Sequence, residues 1–330
     1  MANKRNNRRV ASVTRLRRQS VPRKGPVDLS LGKKRQIRKR YRRIQAISGC
    51  ILAVCVVAIV VTVIVRLNAD YRHHAQEKEI KQTKEENISQ NLEKEFRMPT
   101  AGIATVFQEI LEDCSQYADT DGNEISMLPE YAALYEQNPD IVGWLRIEDT
   151  VIDYPVMQTM EDEDYYLAYD FNKEANNNGC LIMDTDSVVG VGTAEHQYAD
   201  GTKPSTNLII HGHTMKSGMM FGGLKKYAEE SYGRDHSIIC FDSLYEKREY
   251  ELIVVFYSQV YMNTDEVFKY YQFFQADTEE AFDDWYKNIK SMSLYDTGVS
   301  AELGDEFITL SCCSYHTEDG RFVVVGKRIK

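Results

Sequence analysis

From Ile44 to Val65 the chain reads IQAISGCILAVCVVAIVVTVIV, 22 residues without a charge. As a helix rising about 1.5 Å per residue, this run crosses a hydrocarbon core of roughly 30 Å. The helix of a soluble core would show a polar face, and this run has none. A cleaved signal peptide would have a short basic lead and a small-residue cleavage site. Here the lead is long, and Arg66–Arg72 offers no such site. The sequence therefore predicts a transmembrane signal-anchor helix over residues 44–66.

The flanks set its orientation. Residues 1–43 hold 17 Lys/Arg against one acid, Asp28, in a chain whose net charge is −10. Arg38, Lys39, Arg40, Arg42 and Arg43 abut the run, and a basic flank stays cytoplasmic. Residues 1–43 are expected to be a disordered cytoplasmic tail facing anionic membrane lipids, with no nucleic-acid role. Everything after Arg66 then lies outside the cell, in a single-pass membrane protein. Residues 67–99 are highly charged, as in QEKEIKQTKEENISQNLEKEF, and read as a solvated helical stalk. The extracellular domain is expected over 100–330.

Helical signals in that domain are few. Leu128–Gln137 has Pro129 in its first turn, and Met219–Glu230 fits a second helix. Thr278–Lys290 places Phe282, Trp285, Tyr286 and Ile289 on one face, with Asp277 and Glu280 resembling a capping box. Strands are expected at Ile141–Ile147, Val151–Tyr154, Cys180–Met183, Asn207–His211, Ser237–Phe241, Glu249–Tyr261, Glu306–Cys312 and Phe322–Lys327. This pattern predicts a mostly β (α+β) barrel or sandwich. Gly190–Val191–Gly192 and Gly222–Gly223 lack the spacing of a phosphate loop, which argues against nucleotide binding.

Of the seven cysteines, Cys50 and Cys55 fall in the span, leaving Cys114, Cys180, Cys240, Cys312 and Cys313. Five is odd and the spacing is irregular, so at least one thiol is free. In an extended Phe307–Cys313, Ile308, Leu310 and Cys312 share one face, and Thr309, Ser311 and Cys313 the other. The aliphatic face points inward and makes Cys312 a small buried hydrophobe. Cys313, at the strand end, is the candidate nucleophile; a structural thiol is the competing reading.

A thiol with an ordinary pKa of about 8.5 needs a base or cation to attack near neutral pH. The strand NLIIHGHTM delivers His211 and His213, with Gly212 allowing a sharp turn. A hairpin back from Cys313 brings Arg321 near the thiol, where a guanidinium can bind an oxyanion. A zinc set of His211, His213 and Cys313 or His316 lacks a further convincing ligand. The acid cluster Glu161–Asp164 reads as a solvated loop rather than a calcium site. No cofactor or metal is expected.

The stretch Thr309–Cys313, TLSCC, resembles the Thr-Leu-x-Thr-Cys strand of sortases, the membrane-anchored cysteine transpeptidases of Gram-positive bacteria. His213 after Gly212 is similar to the family's Gly-His element, and Arg321 to its C-terminal arginine. The stretches NPDIVGWLRIEDTVIDYPVMQ (Asn138–Gln158), DYYLAYDFNKEANNNGCLIMD (Asp164–Asp184) and NLIIHGHTMKSGMMFGGLKKY (Asn207–Tyr227) resemble the class B branch. The likeness runs from Leu128 to Lys330. There are two departures: Cys312 stands where threonine is common, and His211 where class B members often have tyrosine.

The resemblance implies a closed eight-stranded β-barrel with peripheral helices. Thr278–Lys290 would be the class B insertion that walls the substrate groove, with Thr309 and Ser311 beside it. It implies Cys313 as nucleophile, His213 as acid/base and Arg321 as the oxyanion or substrate-positioning group. The reaction implied is cleavage of a C-terminal sorting signal after Thr through a thioacyl-enzyme. Transfer would follow, to an amine of a lipid-linked peptidoglycan precursor or a pilin. The same three residues also suit a cysteine hydrolase that releases substrate to water, and a stalked ectodomain without enzymatic activity is the third reading.

Overall fold

Eight short runs rich in Val, Ile, Leu and aromatic residues become eight strands, and these close into one barrel. They are β1 (Ile141–Arg146), β2 (Asp153–Met157), β3 (Leu181–Met183), β4 (Asn207–Gly212), β5 (Ile238–Ser243), β6 (Lys247–Gln259), β7 (Phe307–Cys313) and β8 (Gly320–Arg328). Their order around the barrel is β1-β2-β3-β4-β7-β8-β6-β5, with β5 pairing back to β1. The β2–β3 and β4–β7 pairs are parallel and the others antiparallel. The computed structural model describes residues 31–96, 125–195, 198–199 and 202–330. The expectations for a tail over 1–30, the stalk end at 97–99, a domain start at 100–124 and Cys114 lie outside the described residues.

Alternate side chains of each strand fill the barrel. Leu145, Val156, Leu181, Ile210, Phe241, Leu252, Leu310 and Val324 meet in its interior. The opposite face of β6, β7 and β8 is covered rather than wet. Helix α5 (Glu279–Met292) lays Phe282, Trp285 and Ile289 on Phe256, Phe307, Val323 and Val325. Strands buried on both faces read as continuous apolar runs, as in Leu252–Phe256 and Phe322–Val325. The cap of α5 is Thr278, whose Oγ1 accepts from the Ala281 amide at 3.1 Å. Asp277 is thus one residue early: extended Thr278 is the residue whose oxygen reaches the third helical amide.

One helix expectation changes. Instead of a helix over Met219–Glu230 there is a 3-10 turn, Leu224–Ala228, and a short α4, Glu230–Asp235. Met220 sits at φ 50°, and Gly222 packs tightly against the Met215 carbonyl, so no regular helix can start before Leu224. Further upstream, α2 (Pro129–Gln137) forms as expected, and a helical turn α3 (Tyr165–Ala168) lies between β2 and β3.

Helix α1 runs from Leu31 to Phe96. An 18-residue window of it has mean hydropathy 3.0 and none of it is buried, so it is long and apolar enough to cross a membrane. The charged part is helical but is not a free solvated stalk. Ile80 is buried among Tyr131, Leu134 and Trp144. Lys81 Nζ lies 2.9 Å from Asp153 Oδ2, and Lys84 Nζ 4.3 Å from the Trp144 ring centroid. Long cationic side chains cover apolar surface with their stems and place their charge on an aromatic face or a carboxylate. A segment poor in apolar residues can therefore still dock.

Candidate active site

The edge of the barrel where β4 and β7 end and β8 begins gathers three side chains from distant parts of the sequence. In the parallel β4–β7 pair, Gly212 lies opposite Cys312. Across the β7–β8 hairpin, Cys313 lies opposite Arg321. His213, one residue past Gly212, therefore follows directly on the end of the ladder that Cys313 also follows. The faces agree as well. Cys312 and Phe322 belong to the barrel interior. A Cβ on Gly212 would run into Leu181 and Phe221, also interior. Their neighbours Cys313, Arg321 and His213 consequently face out. Gly212 stays within β4, so lack of room, rather than a turn, requires glycine there.

The two adjacent thiols are both free and differ in setting. Cys312 is 2% exposed, and burial pushes its thiol up to about 11. Cys313 is exposed. His213 Nε2 lies 2.9 Å from the Leu167 carbonyl oxygen on α3, so this nitrogen carries the proton and donates. In the neutral ring Nδ1 is then the basic nitrogen. His211, the other candidate base, instead meets Asp184, with Nε2 3.1 Å from Oδ2. Arg321 Nη1 approaches the carbonyls of Asp319 and Gly320 at 3.3 and 3.2 Å. No ion pair holds its guanidinium among the described residues. His316, a possible metal ligand by sequence, faces the Ser314 hydroxyl at 3.0 Å.

Thr309 and Ser311 differ from expectation. They are 2% and 1% exposed and line no open groove. Thr309 Oγ1 donates to Asn207 Oδ1 at 2.8 Å, and Ser311 Oγ is 2.7 Å from the buried Tyr270 hydroxyl. The β6–β7 connection, which carries Tyr270 and α5, covers this part of β7; its Tyr270 satisfies the Ser311 hydroxyl, and Asn207 of β4 satisfies that of Thr309. They anchor the wall from beneath. Helix α5 packs one layer out from β7, on Phe307 and its neighbours.

Sequence reasoning did not find Leu167, Tyr270 or Thr214, whose Oγ1 donates to the Cys313 carbonyl at 2.6 Å. Leu167 acts through its backbone, which no side-chain pattern reveals. Thr214 directly follows His213, and that adjacency was the available signal. A separate cavity of about 230 Å³, lined by Lys84, Arg146, Cys240, Asp242 and Lys247 among others, contains none of these residues. An exposed thiol, an imidazole just past the neighbouring strand end and a guanidinium across the hairpin are the kinds of group that attack a carbonyl and hold the negative oxygen that results.

No family model matches the chain. Among characterised proteins, sortase B of Listeria monocytogenes is 32% identical over 202 residues, 61% of this chain and 74% of the relative. Sortase B of Staphylococcus aureus is 30% identical over 207 residues, 61% of this chain and 75% of the relative. A solved Staphylococcus aureus sortase B–substrate complex superposes with a TM-score of 0.51 at 25% identity, covering 68% of this chain and 91% of that one. A Bacillus anthracis structure described as similar to sortase B gives 0.52 at 28% identity, covering 71% and 99%. With this shared eight-stranded barrel and these identities, the chain belongs to the sortase B family of cysteine transpeptidases.

Proposed function

We propose that Cys313 is the nucleophile, His213 the acid/base and Arg321 the oxyanion or substrate-positioning group of a transpeptidase acting on C-terminal sorting signals. The observation that carries this reading is the strand register, which sets Gly212 opposite Cys312 and Cys313 opposite Arg321. The Cys313 sulfur, as thiolate, adds to the carbonyl carbon that follows a threonine side chain. The C–N bond breaks, the imidazolium of His213 gives its proton to the leaving amine, and a thioester remains. An incoming amine adds to the thioester, loses a proton to the imidazole and expels the thiolate. The peptide bond is exchanged with no net hydrolysis, so no nucleotide is needed. Arg321 offers a planar fork of donors to the oxygen that carries charge in each addition.

The acceptor is an amine of a lipid-linked peptidoglycan precursor or a pilin. In this reading residues 44–66 span the cell membrane, residues 1–43 remain cytoplasmic, and the 67–99 segment leads to an extracellular domain over 100–330. The anchor brings enzyme, lipid-linked acceptor and secreted substrate to one outer leaflet.

The test is to offer the full-length protein a library of threonine-containing peptides, trap the covalent adduct and locate it by mass analysis. The expected adduct is a thioester on Cys313. Adding a soluble amine should then yield a product whose mass includes the amine. A product that never includes it would make the protein a hydrolase, and the absence of any adduct on Cys313 would overturn the reading.

A further inference from the structure

The ladder of paired residues between β4 and β7 ends at Gly212 and Cys312. Both chemically interesting side chains lie one residue beyond it, where the backbone pairing that fixes strand against strand has run out. The next link across the gap is a side chain, the Thr214 hydroxyl donating to the Cys313 carbonyl at 2.6 Å. Thr214 is itself held, because it bridges to Met220 and the Phe221 amide donates to the His213 carbonyl at 3.0 Å. That hydroxyl belongs to the residue that follows the histidine.

We infer that Thr214 is a positioning residue for the transfer reaction, clamping the strand ends that carry His213 and Cys313 so that ring and sulfur stay in register. This rests on the assignment of Cys313 and His213 made above. Thr214 reaches neither the sulfur nor the carbonyl under attack, so it acts through the two residues it ties together. The reacting atoms must meet at about 3–3.5 Å, and a displacement of about 1 Å is enough to cost roughly a hundredfold in rate. The histidine ring has its own anchor at the Leu167 carbonyl. What that anchor does not fix is where β7 ends relative to it, and the Thr214 bond supplies this constraint.

The test uses the full-length protein in detergent as wild type, Thr214→Val, Thr214→Ser and Cys313→Ala. Valine keeps the shape and removes the donor, whereas serine keeps the donor. Two quantities are read. One is kcat and KM for the peptide captured on Cys313. The other is the rate of iodoacetamide alkylation at Cys313, resolved by mass from the other thiols and followed from about pH 5 to 9, the range in which imidazole and thiol titrate. Thr214→Val should lower kcat roughly ten- to a hundredfold with KM little changed, and should alter the pH profile of alkylation. Thr214→Ser should restore both. Wild-type kcat in Thr214→Val would overturn the clamp. So would equal losses in valine and serine, or a loss that follows melting temperature while the alkylation profile stays unchanged. If Cys313→Ala still transfers peptide, the site assignment itself fails. If Cys313→Ala is inactive and Thr214→Val is normal, only the clamp fails.

Discussion

On the outer face of β7, Thr309, Ser311 and Cys313 point the same way, but only the last reaches solvent. The covered part of the strand ends under Tyr270 and the aromatic layer of α5, where each hydroxyl has a partner within 2.8 Å. The open part begins one pair later. A buried hydroxyl is tolerated when it is hydrogen-bonded. A thiol that must ionise is suppressed by the same burial, as the neighbouring Cys312 demonstrates by being pushed up to about 11. Along this strand, solvent access is decided by where the cover stops. The polar residues beneath it hold the cover down.

The largest effect that tests this contrast is at the open end. Cys313→Ala should reduce peptide transfer by roughly 10⁴-fold or more, because a missing nucleophile has no substitute. Melting temperature should barely change, since the side chain is exposed. If Cys312→Ala abolished transfer and Cys313→Ala did not, the division between covered and open would be inverted. Next comes Arg321→Lys, expected to lower kcat/KM by roughly 10²-fold, as loss of a single oxyanion donor does. A lysine keeps the charge but loses the planar fork. Wild-type turnover by that variant would show that a diffuse positive charge suffices opposite Cys313.

Much of this was legible in the sequence. All eight strands fall within a few residues of their expected positions, because barrel strands with two buried faces are written as apolar runs bounded by turns. The parity of Phe307–Cys313 by itself separates the two thiols, one buried and one exposed. What remained hidden is relational. Thr309 and Ser311 look like groove residues because they are polar, and nothing local says that Asn207 and Tyr270 will cover them. The Leu167 carbonyl has no residue-type signature. The docking of the Lys81–Lys84 segment depends on cations lying against Trp144 and Asp153, a pattern that hydropathy scores as solvent-facing.

The covered part is sharpened by Tyr270→Phe. That change leaves the Ser311 hydroxyl buried without its partner, which costs about 1–3 kcal/mol by thermal or urea unfolding. Ser311→Ala should cost less than the sum when combined with it, since the bond is already gone. Additive losses would mean that the two hydroxyls do not depend on each other. Cys312→Ala should be milder, about 1 kcal/mol, the loss of one buried apolar group of near-methylene size. Its transfer activity should remain within about tenfold of wild type, because Thr214 keeps its bond to the Cys313 carbonyl.

The smallest effect concerns the other covered surface, where α1 lies on the barrel. Burial alone would raise the Asp153 pKa, but hydrogen bonds from the Trp144 indole and the Lys81 ammonium outweigh it and hold the carboxyl below the usual aspartate range. A carboxylate with a depressed folded-state pKa adds stability above its unfolded value, about 3.9, and loses it as pH falls through the folded value. With both partners about one third exposed, solvent screening limits the Lys81–Asp153 pair to about 1 kcal/mol or less. Lys81→Met should therefore lower stability slightly at pH 7. As pH falls from about 4 through the lowered folded value, the gap between variant and wild type should close, because a protonated Asp153 no longer attracts the lysine. A gap that persisted undiminished at low pH would assign the lysine's contribution to its contact with the ring of Tyr154, 5.5 Å from Nζ, and not to its pairing with Asp153.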